Sequence, residues 1–197
     1  MRSAYVYPQI VMTHQTEQED FWAGEFGNDY TQRNRGLNWV AANTALFTKI
    51  LDRTQKIQTV LELGANIGMN LLALRALLPH AKLSAVEINE SAAVELSANV
   101  KEVTLYRTSI LEFQPIATWD LVFTKGVLIH INPEKLPIVY ERLYQSSSRY
   151  LLVAEYYNPT PTEINYRGHT GKLFKRDFAG EILDQDIDLA SPQQSPV

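Results

Sequence analysis

The chain has 197 residues, of which 45% are hydrophobic and 20% charged, and a formal net charge of −4; this predicts a globular domain with a buried core and excludes a wholly disordered chain. The acidic balance argues against nucleic acid as a partner, and the lack of cysteine, together with four widely spaced histidines, predicts no disulfide and no metal site. No run approaches the roughly 18 apolar residues of a membrane span and the first residues lack a signal-peptide core, so we expect a cytoplasmic protein without membrane contact.

The N-terminal third predicts an arm followed by helices. Residues 1–15 show no strong periodicity and indicate a flexible arm. Thr16 and Glu19 have the spacing of a capping box, so a helix is expected to begin there, and Gly24 would weaken or end it. A second helix is expected at about 39–51, where apolar residues recur with helical spacing.

From residue 59 onward, strands and helices alternate. The predicted strands are 59–63, 82–87, 103–106, 120–124 and 150–154, and the predicted helices are 67–78, 91–100 and about 133–145. Asn132 is expected to cap the last helix, and Pro137 to delay or bend its start. The run 150–154 is continuously apolar, which favours a strand buried on both faces. The alternation predicts an α/β fold with a doubly wound, mostly parallel, Rossmann-like sheet.

The segment 60–68 carries the strongest functional signal, because it lies where the first strand passes into a helix. Ligands of open α/β sheets bind at such turns, and Gly64 and Gly68 would allow a close backbone approach. A dinucleotide site requires glycine where this chain has Asn66 and Met69, which disfavours a nicotinamide-dependent oxidoreductase. An ordinary strand–helix turn without a ligand is a further alternative.

Glu62, Gly64 and Gly68 resemble the signature of class I S-adenosylmethionine-dependent methyltransferases, an acidic residue followed by G-x-G-x-G. Asn66 departs from the middle glycine, but asparagine tolerates positive φ. The resemblance implies S-adenosylmethionine as the cofactor, bound by these four residues. Glu87 ends the second strand, where a carboxylate can accept hydrogen bonds from both ribose hydroxyls, as an acidic residue does in this family.

The same resemblance extends to two later loops. It implies that Ser109 lies near the adenine amino group and that Ile110 packs on the adenine ring. It also implies that the backbone around Lys125, after the fourth strand, contacts the cofactor. The alternatives are an ordinary polar loop at 108–110 and a lysine that only reaches solvent.

Several longer stretches extend the match, namely 19–27, 30–34, 123–133, 154–161, 166–169 and 172–180. They resemble methyltransferases associated with pseudaminic acid biosynthesis, a bacterial group linked to surface-sugar pathways. The resemblance implies a methyltransferase domain at 16–183, with an N-terminal helical lid at 16–53. The polar stretch 184–197 is expected to be a disordered tail. Because it lacks β periodicity, we expect the closing hairpin of the family's sheet to be absent and one sheet edge to be open.

Candidate acceptor residues follow the fourth and fifth strands. A base assists methyl transfer to a hydroxyl, and His130 and Glu155 are the catalytic candidates. A buried, hydrogen-bonded histidine is the alternative for His130. The polar and aromatic stretch after residue 155 indicates a substrate loop or, alternatively, a surface connection. The substrate-binding candidates are Tyr157, Asn158, Arg167 and His169, and the candidate lid residues are Trp22, Tyr30, Arg33 and Asn34.

These patterns together predict an S-adenosylmethionine-dependent methyltransferase that acts on a small-molecule acceptor, such as a sugar or an intermediate of nonulosonic acid synthesis. The first alternative is a non-catalytic module of the same fold that binds S-adenosylmethionine or a sugar. The nicotinamide-dependent oxidoreductase is less favoured.

Overall fold

The computed structural model describes residues 14–33 and 35–185. Most of the predicted arm at 1–15, the candidate lid residue Asn34 and nearly all of the predicted tail at 184–197 lie outside these residues. The helices are α1 (Glu17–Ala23), α2 (Glu25–Arg33), α3 (Leu37–Leu51), α4 (Met69–Leu77), α5 (Glu90–Asn99), α6 (Leu136–Ser146) and α7 (Phe178–Asp184). The strands are β1 (Thr59–Leu63), β2 (Lys82–Glu87), β3 (Val103–Arg107), β4 (Trp119–Lys125), β5 (Ser147–Ala154), β6 (Thr162–Glu163) and β7 (Phe174–Lys175).

Five parallel strands form the central sheet, in the order β3-β2-β1-β4-β5. The predicted α/β architecture is confirmed, and β1 and β2 have the predicted bounds. The strand order changes direction between β1 and β4, which is the point where open α/β sheets bind ligands. No helix in the described ranges is both long enough and apolar enough to span a bilayer.

The central strand β1 separates two apolar clusters. Val60 packs into the cluster that contains Phe47 of α3, whereas Leu61 and Leu63 face the cluster that contains Tyr140 of α6. All five side chains are almost fully buried. Successive side chains of a strand point to opposite faces, so β1 is anchored from both sides and the turn that follows it has a fixed position.

The edge strand β5 differs from the sequence prediction. Its side chains from Tyr150 to Ala154 are half-buried rather than deeply buried on both faces. The reason is position: the sheet ends at β5, and no other described strand pairs with its outer edge. Within the described ranges the central sheet has no sixth or seventh strand, and β6 and β7 form a separate antiparallel pair.

Two helix starts follow the predicted capping chemistry. The Glu19 backbone N–H donates to Thr16 Oγ1 at 3.2 Å, and the Thr16 hydroxyl donates to Glu19 Oε2 at 3.1 Å. Gly24 ends α1, and α2 follows directly. Asn132 caps a 3₁₀ helix, Pro133–Lys135, rather than α6 itself. Helix α6 begins after this turn with Pro137 in its first turn, where the missing N–H costs no helical bond.

The segment between β5 and α7, residues 156–176, is called the insertion below. It packs against α1 at the carboxyl edge of the sheet. Gln18 Nε2 donates to the Gly171 carbonyl at 2.8 Å, and Lys172 Nζ pairs with Glu17 Oε1 at 3.0 Å. The N-terminal helices and the insertion therefore form one cover over the ends of the strands.

Candidate active site

A cavity of about 640 Å³ lies at the carboxyl ends of β1, β2 and β4. This volume is within the range that holds a cofactor-sized ligand. Eight of the predicted site residues line it: Gly64, Asn66, Glu87, Ser109, Ile110, Lys125, His130 and Glu155. Residues far apart in sequence meet here because parallel strands end at the same edge of the sheet.

The turn after β1 requires its unusual residues. Gly64 has φ +77°, and a Cβ at this position would lie 2.6 Å from Val127 Cγ2. Asn66 has φ +48°, and its Oδ1 accepts the Ile67 N–H at 2.8 Å. Asparagine thus adopts the left-handed conformation where the related signature has glycine, as expected from its tolerance of positive φ. The turn leaves the Gly64 backbone open to the cavity.

Gly68, the last glycine of the signature, lies behind the cavity wall. It has φ +82° and caps α4, but it does not line the cavity. A Cβ on Gly68 would lie 2.8 Å from Val100 Cγ2 and 3.2 Å from Leu96 Cγ. Glycine is therefore required here for close packing of the turn on α5, and a cofactor contact of Gly68 stays a prediction.

Glu87 holds the turn and faces the cavity at once. Its Oε2 accepts the Asn66 N–H at 2.6 Å, and its Oε1 accepts the Asn89 N–H at 2.8 Å. Burial raises the pKa of Glu87, and these backbone N–H groups act in the opposite direction. A carboxylate has about four acceptor sites, so capacity remains for ligand hydroxyls on the cavity side.

Ser109 and Ile110 lie beside Glu87, because β3 pairs with β2. The Ser109 hydroxyl donates to Glu19 Oε1 and accepts the Leu111 N–H at 3.0 Å. Its hydrogen-bonding capacity is thus largely used within the protein. The carboxylate that it meets, on α1, also lines the cavity. From the sequence, Glu19 is expected only as a capping residue.

Glu62 lies behind the cavity wall. Its side chain is 1% exposed and is absent from the lining, but its Oε1 accepts the Asn70 Nδ2–H at 2.6 Å. Asn70 does line the cavity, and its Oδ1 is buried without a partner among the described residues. Glu62 therefore orients Asn70 toward the cavity. Lys125 lines the same region and interacts electrostatically with Glu62.

The buried Glu62 carboxyl predicts a pH-dependent stability. Burial raises its pKa to about 8, and Asn70 and Lys125 act in the opposite direction. The folded state then binds the extra proton, so Glu62 makes folding less favourable as pH rises from about 4.5 to about 8. Glu62→Gln should remove this slope, and its stability relative to wild type should rise by up to about 1.4 kcal/mol per pH unit in that window.

Urea unfolding of both proteins between pH 5 and pH 8 measures this difference. Other buried carboxyl groups are present in both proteins, so their contributions to the pH dependence cancel in the difference between the two free energies of unfolding. A pH-independent difference would contradict the raised pKa.

His130 lies in a 3₁₀ helix, Leu128–His130, that follows β4 and lines the cavity. Ser109 follows β3, so the two residues lie on opposite sides of β1 in the strand order. The Nδ1 atom of His130 lies 2.7 Å from the Lys172 carbonyl oxygen. Because a carbonyl only accepts, Nδ1 carries the proton and Nε2 has the free lone pair. Burial lowers the pKa of His130 to about 4, so the ring is neutral at physiological pH and Nε2 can accept a proton.

We expect long-range ¹H–¹⁵N correlation spectra to show His130 as the neutral Nδ1–H tautomer from pH 8 down to about pH 5. The His130→Asn variant assigns the signal. A ring that titrates near its usual value would contradict the lowered pKa, and a proton on Nε2 would contradict the geometry and remove the candidate base.

Glu155 supports the turn that carries His130. Its Oε1 accepts the Val127 N–H at 2.9 Å and the Leu128 N–H at 3.1 Å. Burial raises its pKa, whereas these backbone N–H groups lower it. The Oε2 atom is buried and has no partner among the described residues. The geometry thus gives Glu155 a structural role and leaves one oxygen for a ligand.

The four predicted substrate-binding residues do not line the cavity. Asn158 Nδ2 donates to Thr162 Oγ1 within a turn, and Tyr157 is 64% exposed. Arg167 has φ +53° in an exposed turn, and the His169 ring packs at 5.0 Å on a phenylalanine of α1. These side chains point away because the insertion folds back on itself, and their role in substrate binding stays a prediction.

Other residues of the cover also line the cavity. They are Trp22, Tyr30, Tyr156, Ile164, Tyr166 and Lys175. The Trp22 ring lies 4.4 Å from the His130 ring, and the Tyr166 ring lies 5.1 Å from it. Trp22 and Tyr30 were predicted lid residues, whereas Arg33 packs over aromatic rings of α2 and does not line the cavity.

No protein-family model and no curated protein matches the chain. The chain does match solved structures. The plantazolicin methyltransferase BpumL, in complex with a pentazolic desmethyl analogue and S-adenosylhomocysteine, is 16% identical, with a TM-score of 0.56 over 71% of this chain and 57% of that chain. The fold is that of the class I methyltransferases.

Two further structures have the same fold. The complex of DhpI with S-adenosylhomocysteine is 15% identical, with a TM-score of 0.55 over 80% of this chain and 76% of that one. CalS10, an amino pentose methyltransferase from Micromonospora echinaspora with bound S-adenosylmethionine, is 13% identical, with a TM-score of 0.55 over 74% and 65%. The chain thus spans 57% of the plantazolicin methyltransferase and 65% of CalS10.

Proposed function

We propose that the chain is an S-adenosylmethionine-dependent methyltransferase that acts on a small, cyclic acceptor. The observation that carries the proposal is that Gly64 and Glu87 open onto one cavity at the switch point of the sheet. A ligand can approach the Gly64 backbone closely, and the buried Glu87 carboxylate lies beside it. Both features suit a ligand that contains a ribose and an amino-acid group. The structures of this fold with bound cofactor or product support the same choice.

The residues present fit the parts of this cofactor. Glu87 would accept hydrogen bonds from the ribose hydroxyls, and the apolar side chain of Ile110 would pack on the adenine. Asn70 Oδ1, buried and without a partner among the described residues, would accept from the ammonium group, with Lys125 available to the carboxylate. When bound, the cofactor supplies an activated methyl group on a sulfonium sulfur.

The acceptor end supplies positioning and a base. The Trp22 and Tyr166 rings border His130, so a flat or cyclic acceptor would pack on them while its hydroxyl or amine faces Nε2. Neutral His130 would take the acceptor's proton as the acceptor–methyl bond forms and the methyl–sulfur bond breaks, with S-adenosylhomocysteine as the leaving group. Glu155 would keep the His130 turn in place through its two backbone hydrogen bonds.

A sugar or sugar-derived acid is the acceptor class that we propose. The aromatic rings suit the apolar face of a sugar, and Lys175, whose Nζ lies 5.5 Å from the Tyr156 ring centre, would pair with an acidic group. CalS10 acts on an amino pentose. The resemblance to methyltransferases associated with pseudaminic acid biosynthesis supports the same class, with residues 16–183 as the methyltransferase domain and 16–53 as its lid.

Turnover tests this function. The purified chain is incubated with S-adenosylmethionine and a panel of neutral, amino and acidic sugars, and S-adenosylhomocysteine is quantified by chromatography. We expect product with an acidic or amino sugar in wild type, and a loss of about 100-fold or more in His130→Asn with unchanged cofactor affinity. Binding without product on any acceptor would favour the non-catalytic module of the same fold.

A further inference from the structure

Helix α1 places a carboxylate in the wall of the cavity at its β3 side. Glu19 is 7% exposed and lines the cavity together with Ser109. Its Oε1 accepts from the Ser109 hydroxyl, and its Oε2 accepts from the Thr16 hydroxyl at 3.1 Å. Two hydroxyl groups therefore fix the carboxylate, and about two of its four acceptor sites remain.

The hydrogen-bonding groups around Glu19 leave acceptors and no hydroxyl donors for a ligand. Thr16 and Ser109 both direct their hydroxyl hydrogens at Glu19. Gln18 Nε2 donates to the Gly171 carbonyl, whereas Gln18 Oε1 is buried without a partner among the described residues. A ligand group at this wall must supply hydrogens rather than accept them, because a buried acceptor without a donor is costly.

The neighbouring side chains make this region apolar. Ile88 follows Glu87 at the end of β2, and Ile110 and Leu111 follow Ser109, and all three line the cavity. Ile110 and Leu111 are 8% and 5% exposed. An apolar region with acceptors at one wall, beside the proposed ribose site at Glu87, matches a purine with an exocyclic amino group.

We propose that Glu19 accepts a hydrogen bond from the 6-amino group of the adenine, and that Ser109 and Thr16 position its carboxylate for this contact. The inference rests on the proposed function, since it assumes that an adenosyl ligand occupies the cavity. The residue that recognises the adenine amino group would then lie on the N-terminal helix α1. The loop after β3 offers only the uncharged Ser109 at this point.

This contact also links the two ends of the cavity. Helix α1 carries Glu19 at the proposed adenine site and Trp22 beside the candidate base His130, with ring centres 4.4 Å apart. A cofactor bound to Glu19 would stabilise the docked position of α1 and with it the aromatic wall of the acceptor site.

Calorimetric titration tests the contact. It compares S-adenosylhomocysteine with an analogue in which hydrogen replaces the 6-amino group. Wild type should bind the analogue about 10- to 100-fold more weakly, as expected for loss of a hydrogen bond to a charged group. In Glu19→Gln the ratio should fall to about fivefold or less, because a neutral amide accepts more weakly. Asp20→Asn, an exposed change one residue away on α1, should keep the wild-type ratio.

A wild-type ratio near one, or a Glu19→Gln ratio equal to that of wild type, would overturn the inference while leaving the proposed function intact. No binding of S-adenosylhomocysteine by wild type and Asp20→Asn would instead contradict the proposed function itself. If Glu19→Gln does not fold, a crystal structure of wild type with S-adenosylhomocysteine decides. The amino nitrogen should lie within about 3.2 Å of the Glu19 carboxylate, and a separation beyond hydrogen-bonding distance overturns the contact.

Discussion

Gly64→Ala is expected to weaken S-adenosylmethionine binding by about 100-fold, the effect of an overpacking cost of about 2–3 kcal/mol at the ligand site. The added Cβ would lie 2.6 Å from Val127 Cγ2. Val127 itself lines the cavity, so either this side chain moves within the cavity wall or the turn after β1 shifts. The positive φ of Gly64 adds strain for any residue with a side chain.

Gly168→Ala is the matched control for this strain. Gly168 has φ +88°, a Cβ there would meet no atom within 4 Å, and it does not line the cavity. The control should lose about 1–2 kcal/mol of stability with unchanged cofactor affinity. Calorimetric titration measures binding, and circular dichroism verifies folding. Wild-type affinity in folded Gly64→Ala would mean that no ligand approaches this backbone.

Glu87→Gln should have the second-largest effect on cofactor binding, with S-adenosylmethionine bound about 30- to 100-fold more weakly through loss of the charged acceptor. The structure adds a second consequence. Both carboxylate oxygens accept backbone N–H groups, from Asn66 and Asn89. An amide nitrogen in place of one oxygen leaves a buried donor unpaired, which should lower the free energy of unfolding by about 1–3 kcal/mol.

A 2′-deoxyribosyl analogue of S-adenosylhomocysteine separates the two consequences. Wild type should lose about tenfold in affinity for the analogue, whereas Glu87→Gln, which has already lost the charged contact, should lose about threefold or less. Glu90→Gln, an exposed change beside Arg107, should behave as wild type. An equal loss in Glu87→Gln and wild type would show that Glu87 only holds the turn.

The sheet and the turn residues at its carboxyl edge could be predicted from the sequence, because the apolar pattern and the residues that end each strand indicated the same structure. The apolar runs of β1 and β2 end at charged or glycine residues, and a parallel sheet places those ends at one edge. Asn66 was correctly expected to keep the turn. The burial of β5 could not be predicted, because an apolar run has the same pattern at the edge of a sheet as at its centre.

The spacing of a motif could not predict which groups its side chains contact. Gly68 and Glu62 belong to the signature, yet Gly68 packs against α5 and Glu62 accepts a hydrogen bond from Asn70 behind the cavity wall. The spacing of a glycine cannot distinguish helix packing from ligand contact, because both exclude a Cβ. Asn70 is the second residue of α4, where no motif marks it, and only the structure shows that its Oδ1 lacks a described partner.

The insertion contributes residues to the cavity wall, but the substrate-binding candidates were chosen by chemical type and do not line it. Tyr157 and Arg167 have suitable chemistry but lie on exposed turns, whereas Tyr166 and Lys175 line the cavity. An irregular segment has no period from which its inward face can be inferred. The sequence also contained no sign that Glu19 lines the cavity, because its capping role explained its presence and its contact with Ser109 joins residues 90 positions apart.

Calorimetric titration of the purified chain with S-adenosylmethionine and, separately, with NAD tests the central claim most directly. The turn geometry and Glu87 predict saturable binding of S-adenosylmethionine with a stoichiometry near one and no binding of NAD. Binding of NAD alone, or of neither ligand by a chain shown to be folded, would contradict the proposed cofactor and every role that depends on it.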